Sequence, residues 1–218
     1  MKSVLAYGDS LTWGADPVTT LRHPHADLWP SVLEAGLSGL ARVIHDGVGG
    51  RTTCFDDHSG PCCRNSVKTL PVALAAHMPL DLVILMLGTN DLKPIHGATA
   101  ANSQAGIRRL VQLTRTQRYK PKGHVPEILV VAPPACRQAT GRMPDGPDRI
   151  PQSLRFPSLY ADVAREEGAH FFDAATVATA SEEDGVHLHR DQTRAIGSAL
   201  IEPVARILGL STPPTGEE

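Results

Sequence analysis

The chain has 218 residues and a mass of 23.3 kDa, which predicts one domain, at residues 1–210, followed by a flexible tail at 211–218. Its 21 Lys and Arg residues and 23 Asp and Glu residues leave a formal charge of -2, so charge favours neither nucleic acid nor an anionic membrane as a partner. The longest apolar run, residues 82–87, is far shorter than the roughly 20 residues that span a bilayer. The apolar stretch after Lys2 is interrupted at Asp9 before a signal peptide develops, so we expect a cytoplasmic protein.

Five short runs of apolar, β-branched or aromatic residues are bounded by turn residues and predict strands. In chain order they are residues 3–7, 41–44, 82–87, 128–132 and 170–172. The run at 82–87 is continuously apolar, which is typical of a strand covered on both faces in a parallel sheet.

Helical patterns lie between these strands. The first begins near Trp29 and Pro30, with Asp27 as the expected N-cap and Pro30 in the first turn. Further helices are predicted at 68–76, 100–118 and 158–167. The last helix of the chain is predicted from an apolar stripe of Ile196, Leu200, Val204 and Leu208. Alternating strands and helices predict an α/β fold: a three-layer α/β/α sandwich around a five-stranded parallel sheet.

Two connections, residues 52–65 and 133–157, exceed the usual length of roughly 4–6 residues. Each follows the carboxyl end of a predicted strand, where open α/β sheets bind their ligands. We therefore expect them to form walls of a site or contacts between subunits. The alternative is a pair of irregular surface segments.

The chain contains four cysteines, which we interpret as reduced thiols. A chain of this length folds without disulfides, and a bond between the adjacent Cys62 and Cys63 would be strained. No Cys-x-x-Cys pair is present to hold zinc, so we expect neither a metal nor a cofactor.

The first predicted strand runs into Gly8-Asp9-Ser10-Leu11, which places a serine directly after the strand. A nucleophile at this position would be exposed at the carboxyl edge of the sheet. No serine lies in a Gly-x-Ser-x-Gly motif, which excludes the nucleophile elbow of the α/β-hydrolases. The alternative is a serine that caps a helix or forms a turn.

A second motif, Asp184-Gly185-Val186-His187, precedes the last helix. A serine hydroxyl needs a base to take its proton, and the base needs a third group to orient it. Because only His187 has an aspartate at this spacing, we prefer it to His189 as the base. The alternative is a surface loop with an incidental histidine.

Acyl chemistry also requires hydrogen-bond donors for a developing oxyanion. The glycine-rich residues 47–50 follow the second strand, where glycines let a backbone N–H approach a ligand. Asn90 follows the third strand and would offer its side-chain amide. Together with the serine and the Asp-x-x-His motif, these segments supply every role of an acyl-transfer site.

The segments at 8–11, 47–50, 88–91 and 184–187 resemble, in order, the blocks of the SGNH (GDSL) hydrolase superfamily. The phrases GDSLTWG, GRTT, LDLVILMLGTND, ILVVAPP and FFDA are similar to its small arylesterase/acyltransferase subgroup. The resemblance implies a flavodoxin-like sandwich and a metal-free octamer. It further implies the site residues: Ser10 as nucleophile, His187 as base, Asp184 as orienter, and the N–H groups of Ser10 and Gly50 with the Asn90 amide as oxyanion hole. The Cys62-Cys63 segment departs from the family pattern.

Other residues near these blocks have two interpretations each. Asp9 and Asp91 would either bind a metal or accept hydrogen bonds from loop N–H groups, and we favour the second. Trp13 and Thr89 are the expected substrate contacts, although Trp13 would equally well pack under the first helix. Arg51 would brace its loop or contact the substrate.

These patterns predict a serine esterase that hydrolyses short-chain or aryl esters through an acyl-enzyme, with acyl transfer to alcohols as a second outcome. The expected partner is a small-molecule ester, and the expected assembly is a homo-oligomer. One alternative is a carbohydrate O-acetyl esterase of the same superfamily. The others are a metal-dependent phosphoesterase built on Asp9, Asp91 and Asp184, and a non-catalytic module that binds a small anion.

Overall fold

Five parallel strands form one sheet in the computed structural model, which describes residues 1–97, 99–140 and 148–211. The strands are β1 (Lys2–Gly8), β2 (Ala41–Gly47), β3 (Leu82–Met86), β4 (Glu127–Ala132) and β5 (His170–Asp173). Their order in the sheet is β2-β1-β3-β4-β5. The expected parallel sheet is confirmed, and β1 lies between β2 and β3, so the three segments after these strands meet at one edge.

Seven α-helices connect the strands within the described residues. They are α1 (Ser10–Trp13), α2 (Trp29–Gly36), α3 (Ser66–His77), α4 (Ala100–Thr116), α5 (Arg149–Ser153), α6 (Phe156–Glu167) and α7 (Arg190–Ile207). Short 3₁₀ turns occupy His25–Asp27, Thr89–Leu92, Pro94–His96 and Ala174–Thr176.

The sheet separates two hydrophobic cores, because successive side chains of a strand point to opposite faces. Val4 and Ala6 of β1 contact the core under α2 and α7, whereas Leu5 and Tyr7 contact the core under α3, α4 and α6. The continuous apolarity of β3 follows from this arrangement, since all five of its residues are buried. The predicted three-layer sandwich is therefore confirmed.

Two local predictions are wrong. Asp27 does not cap α2: the helix begins after Leu28 without a side-chain cap, and Asp27 forms ion pairs with Arg190 and Arg194 of α7 instead. Pro30 does lie in the first turn, as expected. The connection at 133–157 is not irregular throughout, because α5 lies inside it and α6 begins at Phe156, which is fully buried in the core.

The connection at 52–65 is closed at its base. Thr52 N donates to Arg64 O over 2.9 Å, and the N–H and hydroxyl of Ser66 both donate to Thr52 O. Asn65 then caps α3 by accepting a hydrogen bond from Val67 N. All four cysteines have free thiols.

Within the described ranges, no helix has the length and apolarity to cross a membrane. Most of the tail predicted at 211–218 lies outside the described residues, as does Met143 of the second long connection.

Candidate active site

The carboxyl end of β1 turns directly into a short helix that carries Ser10. Asp9 is the N-cap of α1, and its Oδ1 accepts a hydrogen bond from Leu11 N over 2.9 Å. This cap fixes the turn between strand and helix, because it satisfies a backbone N–H that has no partner inside the helix. Ser10 is the first helical residue, and its side chain faces the cavity at the edge of the sheet.

A hydrogen-bonded chain of three side chains begins at Ser10. Its Oγ lies 3.0 Å from Nε2 of His187, and Nδ1 of His187 lies 2.5 Å from Oδ2 of Asp184. The residues come from opposite ends of the sequence and meet because the segment before α7 returns to the end of β1. This is the geometry in which a base can take the serine proton while a carboxylate orients it.

Asp184 is held as a carboxylate by several donors. Partial burial acts to raise its pKa, but hydrogen bonds from the His187 ring and from the N–H groups of Val186 and His187 outweigh burial. The pKa of Asp184 therefore lies well below its usual range, and the group is ionised at neutral pH. An ionised carboxylate stabilises an adjacent imidazolium when the base is protonated.

The structure brings His187, and not His189, to the serine. Nε2 of His189 lies 2.9 Å from Oε2 of Glu183, and both side chains are substantially exposed. His189 immediately precedes α7. The Asp-x-x-His spacing thus distinguishes the histidine that reaches Ser10 from the one that pairs with a surface glutamate.

Asn90 lies in the 3₁₀ turn after β3 and lines the same cavity. Its Nδ2 donates to Oδ2 of Asp9 over 3.2 Å and to the carbonyl oxygen of Arg51 over 3.1 Å. These two acceptors tie the turn after β3 to the segments that follow β1 and β2. An oxyanion bound by the Asn90 amide would therefore accept a hydrogen that already bonds to Asp9 Oδ2 or to Arg51 O.

The glycine loop after β2 passes close to α1. A side chain at Gly47 would collide with the backbone of Trp13, so only glycine lets the two segments approach this closely. Gly50 has a φ of 80°, a left-handed conformation that glycine adopts without strain, and it lines the cavity.

Arg51 braces this loop and does not line the cavity. Its Nη1 donates to the carbonyl oxygens of Gly8 and Asp46, and its Nη2 pairs with Oδ1 of Asp46 over 2.7 Å. Its guanidinium lies 4.0 Å from the centre of the Tyr7 ring. One buried side chain therefore holds the ends of β1 and β2 together.

Asp9 and Asp91 accept hydrogen bonds from loop N–H groups, as the preferred interpretation expects. Asp91 accepts from Thr53 N over 2.8 Å and from Thr53 Oγ1 over 2.6 Å, which joins the segments after β2 and β3. Burial raises the pKa of Asp9 to about 6, although the Leu11 hydrogen bond opposes it. Burial likewise raises the pKa of Asp91 to about 6.

The cavity over Ser10 has a volume of about 540 Å³. Trp13 lines it and is half-buried, with the Arg22 guanidinium 5.6 Å from its ring centre. Thr89 differs from the expectation, because it is buried and is not among the residues that line the cavity. Its carbonyl oxygen accepts a hydrogen bond from Arg149.

Sequence reasoning did not identify five charged residues that line this cavity. They are Asp16, Arg64, Lys93, Arg149 and Glu183. The two long connections were expected to form walls of the site, and each contributes one of these residues: Arg64 comes from 52–65 and Arg149 from 133–157. Neither arginine lies in a motif or a periodic pattern. The length of the two connections therefore indicated which segments reach the site, but not which of their residues do.

Known proteins resemble this chain over nearly its whole length. Residues 6–194 match the GDSL-like Lipase/Acylhydrolase family. A solved structure described as a "putative arylesterase" from Agrobacterium tumefaciens is 58% identical, with a TM-score of 0.93 over 95% of this chain and 100% of that one. No curated protein matches the chain.

Two further solved structures extend the comparison. A carbohydrate acetylesterase family member from Sinorhizobium meliloti is 43% identical, with a TM-score of 0.92 over 96% of this chain and all of that one. The aryl esterase of M. smegmatis is 34% identical, with a TM-score of 0.85 over 95% of this chain and all of that one. The sequence blocks, the sheet and these likenesses agree, and the chain belongs to the GDSL-like lipase/acylhydrolase family.

Proposed function

We propose that this protein is a serine esterase that hydrolyses short-chain acyl or aryl esters through an acyl-enzyme on Ser10. One observation carries the proposal: Ser10 Oγ lies 3.0 Å from His187 Nε2, whose other ring nitrogen lies 2.5 Å from Asp184. A serine in such a chain loses its proton to the histidine as it attacks a carbonyl carbon.

In the acylation step, Ser10 Oγ bonds to the ester carbonyl carbon while His187 Nε2 takes the hydroxyl proton. The carbonyl oxygen becomes an oxyanion, for which we propose the N–H groups of Ser10 and Gly50 and the Asn90 amide as donors. The bond to the alcohol oxygen then breaks, and the proton on His187 passes to the leaving alcohol. Asp184 stabilises the imidazolium throughout, because its carboxylate is ionised.

Deacylation repeats the sequence with water as the attacking group. His187 takes a proton from the water, the acyl carbon gains an oxygen, and the proton returns to Ser10 Oγ as the acid leaves. An alcohol that occupies the position of the water would give a new ester instead, which is the acyl-transfer outcome.

Trp13 is proposed as a substrate contact, since its half-buried ring lines the cavity beside the nucleophile. A flat apolar wall suits an aryl or short alkyl group. Thr89 does not fit this role, because its buried side chain does not line the cavity.

A second candidate is an O-acetyl esterase that acts on acetylated carbohydrates by the same mechanism. The likeness to the carbohydrate acetylesterase family member from Sinorhizobium meliloti, at 43% identity, favours it. An acetylated sugar and an aryl acetate would give the same acyl-enzyme, so their values of kcat/KM differ only through recognition of the alcohol part. Comparing kcat/KM over a panel of both ester classes therefore distinguishes the two functions.

The Ser10→Ala variant tests the proposed mechanism. Turnover of 4-nitrophenyl acetate is expected to fall by several orders of magnitude, because the covalent route is lost while the fold remains. Ser158→Ala is the matched control, since Ser158 is exposed on α6. An alanine variant at position 10 with more than about a tenth of wild-type activity would contradict the assignment.

The same assay separates the metal-dependent alternative. Hydrolysis by the serine route is expected to continue in the presence of a chelator, whereas a phosphoesterase built on Asp9, Asp91 and Asp184 would lose activity. In the structure, Asp9 and Asp91 accept hydrogen bonds from Leu11 and Thr53, and Asp184 pairs with His187.

We also propose that the protein is cytoplasmic and assembles as a symmetric homo-oligomer, an octamer by its resemblance to the arylesterase/acyltransferase subgroup. Four free thiols are typical of a reducing compartment. Leu154 of the second connection is 64% exposed, and we propose it as part of the subunit contact. Phe156, at the end of the same connection, is buried within its own subunit and is not available for such a contact. Light scattering tests the assembly, and product analysis in dilute alcohol tests acyl transfer.

A further inference from the structure

Arg149 is a buried cation in the wall of the catalytic cavity. It is the first residue of α5, its exposed fraction is 5%, and it lines the cavity that contains Ser10 and Asn90. Its Nη2 donates to the carbonyl oxygen of Thr89 over 3.2 Å, while its buried Nε has no hydrogen-bond partner. Within the described parts of the chain, Arg149 forms no ion pair with a carboxylate.

The other two cations in the cavity wall, Arg64 and Lys93, share one carboxylate as an ion-pair partner. Nη1 of Arg64 lies 3.0 Å from Oδ2 of Asp57, and Nζ of Lys93 lies 3.4 Å from the same oxygen. Asp57 is itself buried beneath them. Arg149 therefore stands apart as a cavity-lining cation whose charge no described carboxylate balances at ion-pair distance.

A buried charge without a counter-ion is costly, and folded proteins usually pair such groups or place them where a ligand completes the pair. The contacts of the guanidinium with the Thr89 carbonyl oxygen and the Cys136 thiol hold it in place, but neither group is a carboxylate that would balance its charge. An arginine has five N–H donors arranged to match a carboxylate. The missing partner in the cavity is therefore an anion of carboxylate geometry.

The position of Arg149 indicates which part of a substrate would carry that anion. The leaving alcohol must face His187 Nε2, from which it receives its proton, and Asp184 and Glu183 lie in the wall near this histidine. Arg149 is bonded to the carbonyl of Thr89, next to Asn90 on the oxyanion side of Ser10. If the alcohol faces the wall that contains Asp184 and Glu183, the side of the cavity near Arg149 is left for the acyl group.

We propose that Arg149 forms an anion subsite for the acyl group, so that the enzyme favours esters of dicarboxylic acids in which one carboxylate is free. This inference rests on the proposed esterase function. In the reaction, the ester bond of such a half-ester is cleaved at Ser10, the alcohol leaves with the proton from His187, and water releases the dicarboxylate. The free carboxylate takes no part in bond making and pairs with Arg149.

Two ethyl esters of equal acyl length test this inference. Monoethyl glutarate carries a free carboxylate, ethyl pentanoate ends in a methyl group, and both release ethanol, so one assay measures kcat/KM for each. The wild-type enzyme is expected to favour monoethyl glutarate. A hydrogen bond to a charged group corresponds to about a 10- to 100-fold preference, which Arg149→Met is expected to abolish.

Arg155→Met is the matched control, because Arg155 is exposed at the start of α6 and does not line the cavity. Its ratio of kcat/KM between the two esters is expected to equal that of the wild type. Arg149→Lys keeps a positive charge and is expected to retain part of the preference. If Arg149→Met does not fold, the wild-type ratio and the lysine variant still decide the question.

The outcomes separate this inference from the proposed function. A wild-type enzyme that prefers ethyl pentanoate, or an Arg149→Met variant that lowers kcat/KM for both esters by the same factor, overturns the anion subsite and leaves the esterase intact. A protein whose turnover of 4-nitrophenyl acetate survives Ser10→Ala overturns the proposed function itself.

Discussion

The buried carboxyl of Asp91 makes the stability of this protein depend on pH in an unusual direction. Burial raises its pKa in the folded protein from 3.8 to about 6, against the hydrogen bonds from Thr53. Between these two values the folded state holds a proton that the unfolded state has released. The free energy of unfolding therefore falls as the pH rises through this window.

The size of the effect follows from the two pKa values. A difference of about two pH units corresponds to about 3 kcal/mol in total, of which about 2 kcal/mol is lost between pH 4.5 and pH 7. Asp91→Asn removes the titrating group, and its amide oxygen can still accept the hydrogen bond from Thr53 N. The free energy of unfolding of this variant, relative to the wild type, is expected to rise by about 2 kcal/mol over the same interval.

Urea denaturation at several pH values measures this difference. Trp29 is fully buried and its fluorescence reports unfolding. Asp162→Asn is the matched control, because the Asp162 side chain is about half exposed on α6 and pairs with Arg165 of the same helix. Asp9 titrates in the same window in both proteins, so some pH dependence remains in the variant. Parallel stability curves for Asp91→Asn and the wild type would refute the reasoning.

Three further predictions concern residues that line the cavity. His187→Ala is expected to lower kcat by several orders of magnitude. His189→Ala removes a surface pair with Glu183 and is expected to retain most activity. Reversed effects would show that His189 is the base. Asn90→Ala is expected to lower kcat by roughly 10²–10³, because a donor to the oxyanion is lost. It is also expected to lower the melting temperature, because Asp9 Oδ2 and Arg51 O lose their donor. A change in KM alone would make Asn90 a binding residue. Trp13→Ala is expected to raise KM for aryl esters more than for ethyl esters, as initial rates would show.

The motif residues could be placed from the sequence because parallel strands bring their carboxyl ends to one edge of the sheet. Ser10 follows β1 and Asn90 follows β3, and pairing of β1 with β3 makes these two positions neighbours. The spacing of Asp184 and His187 is local, so it needed no knowledge of the fold. Strand order and short-range spacing together account for this part of the site.

Side chains in the long connections could not be placed in the same way. Arg149 and Arg64 reach the cavity from segments that have no hydrophobic period, so no repeating pattern relates their positions to the sheet. The predicted connection at 133–157 includes Phe156 and Pro157, yet proline fits the first turn of a helix and α6 begins at Phe156. Asp27 was assigned to a cap, but distant arginines of α7 pair with it, and distant charges are invisible to local sequence reasoning.

The closed base of the connection at 52–65 has a consequence for how this enzyme can diversify. The backbone of Thr52 is hydrogen-bonded to Arg64 and Ser66 beside the start of α3. These hydrogen bonds fix the two ends of the loop. Adding residues to a loop with fixed ends costs little entropy, about 0.6 kcal/mol for each doubling of length. Asp57 belongs to the constant part of the loop, because it is buried and pairs with Arg64 and Lys93. Residues 58–63, most of which are exposed, therefore form an exchangeable insert above a constant stem. Loops of other lengths and compositions can be grafted at this position to alter the entrance to the cavity, without disturbing Ser10 or the residues that activate it.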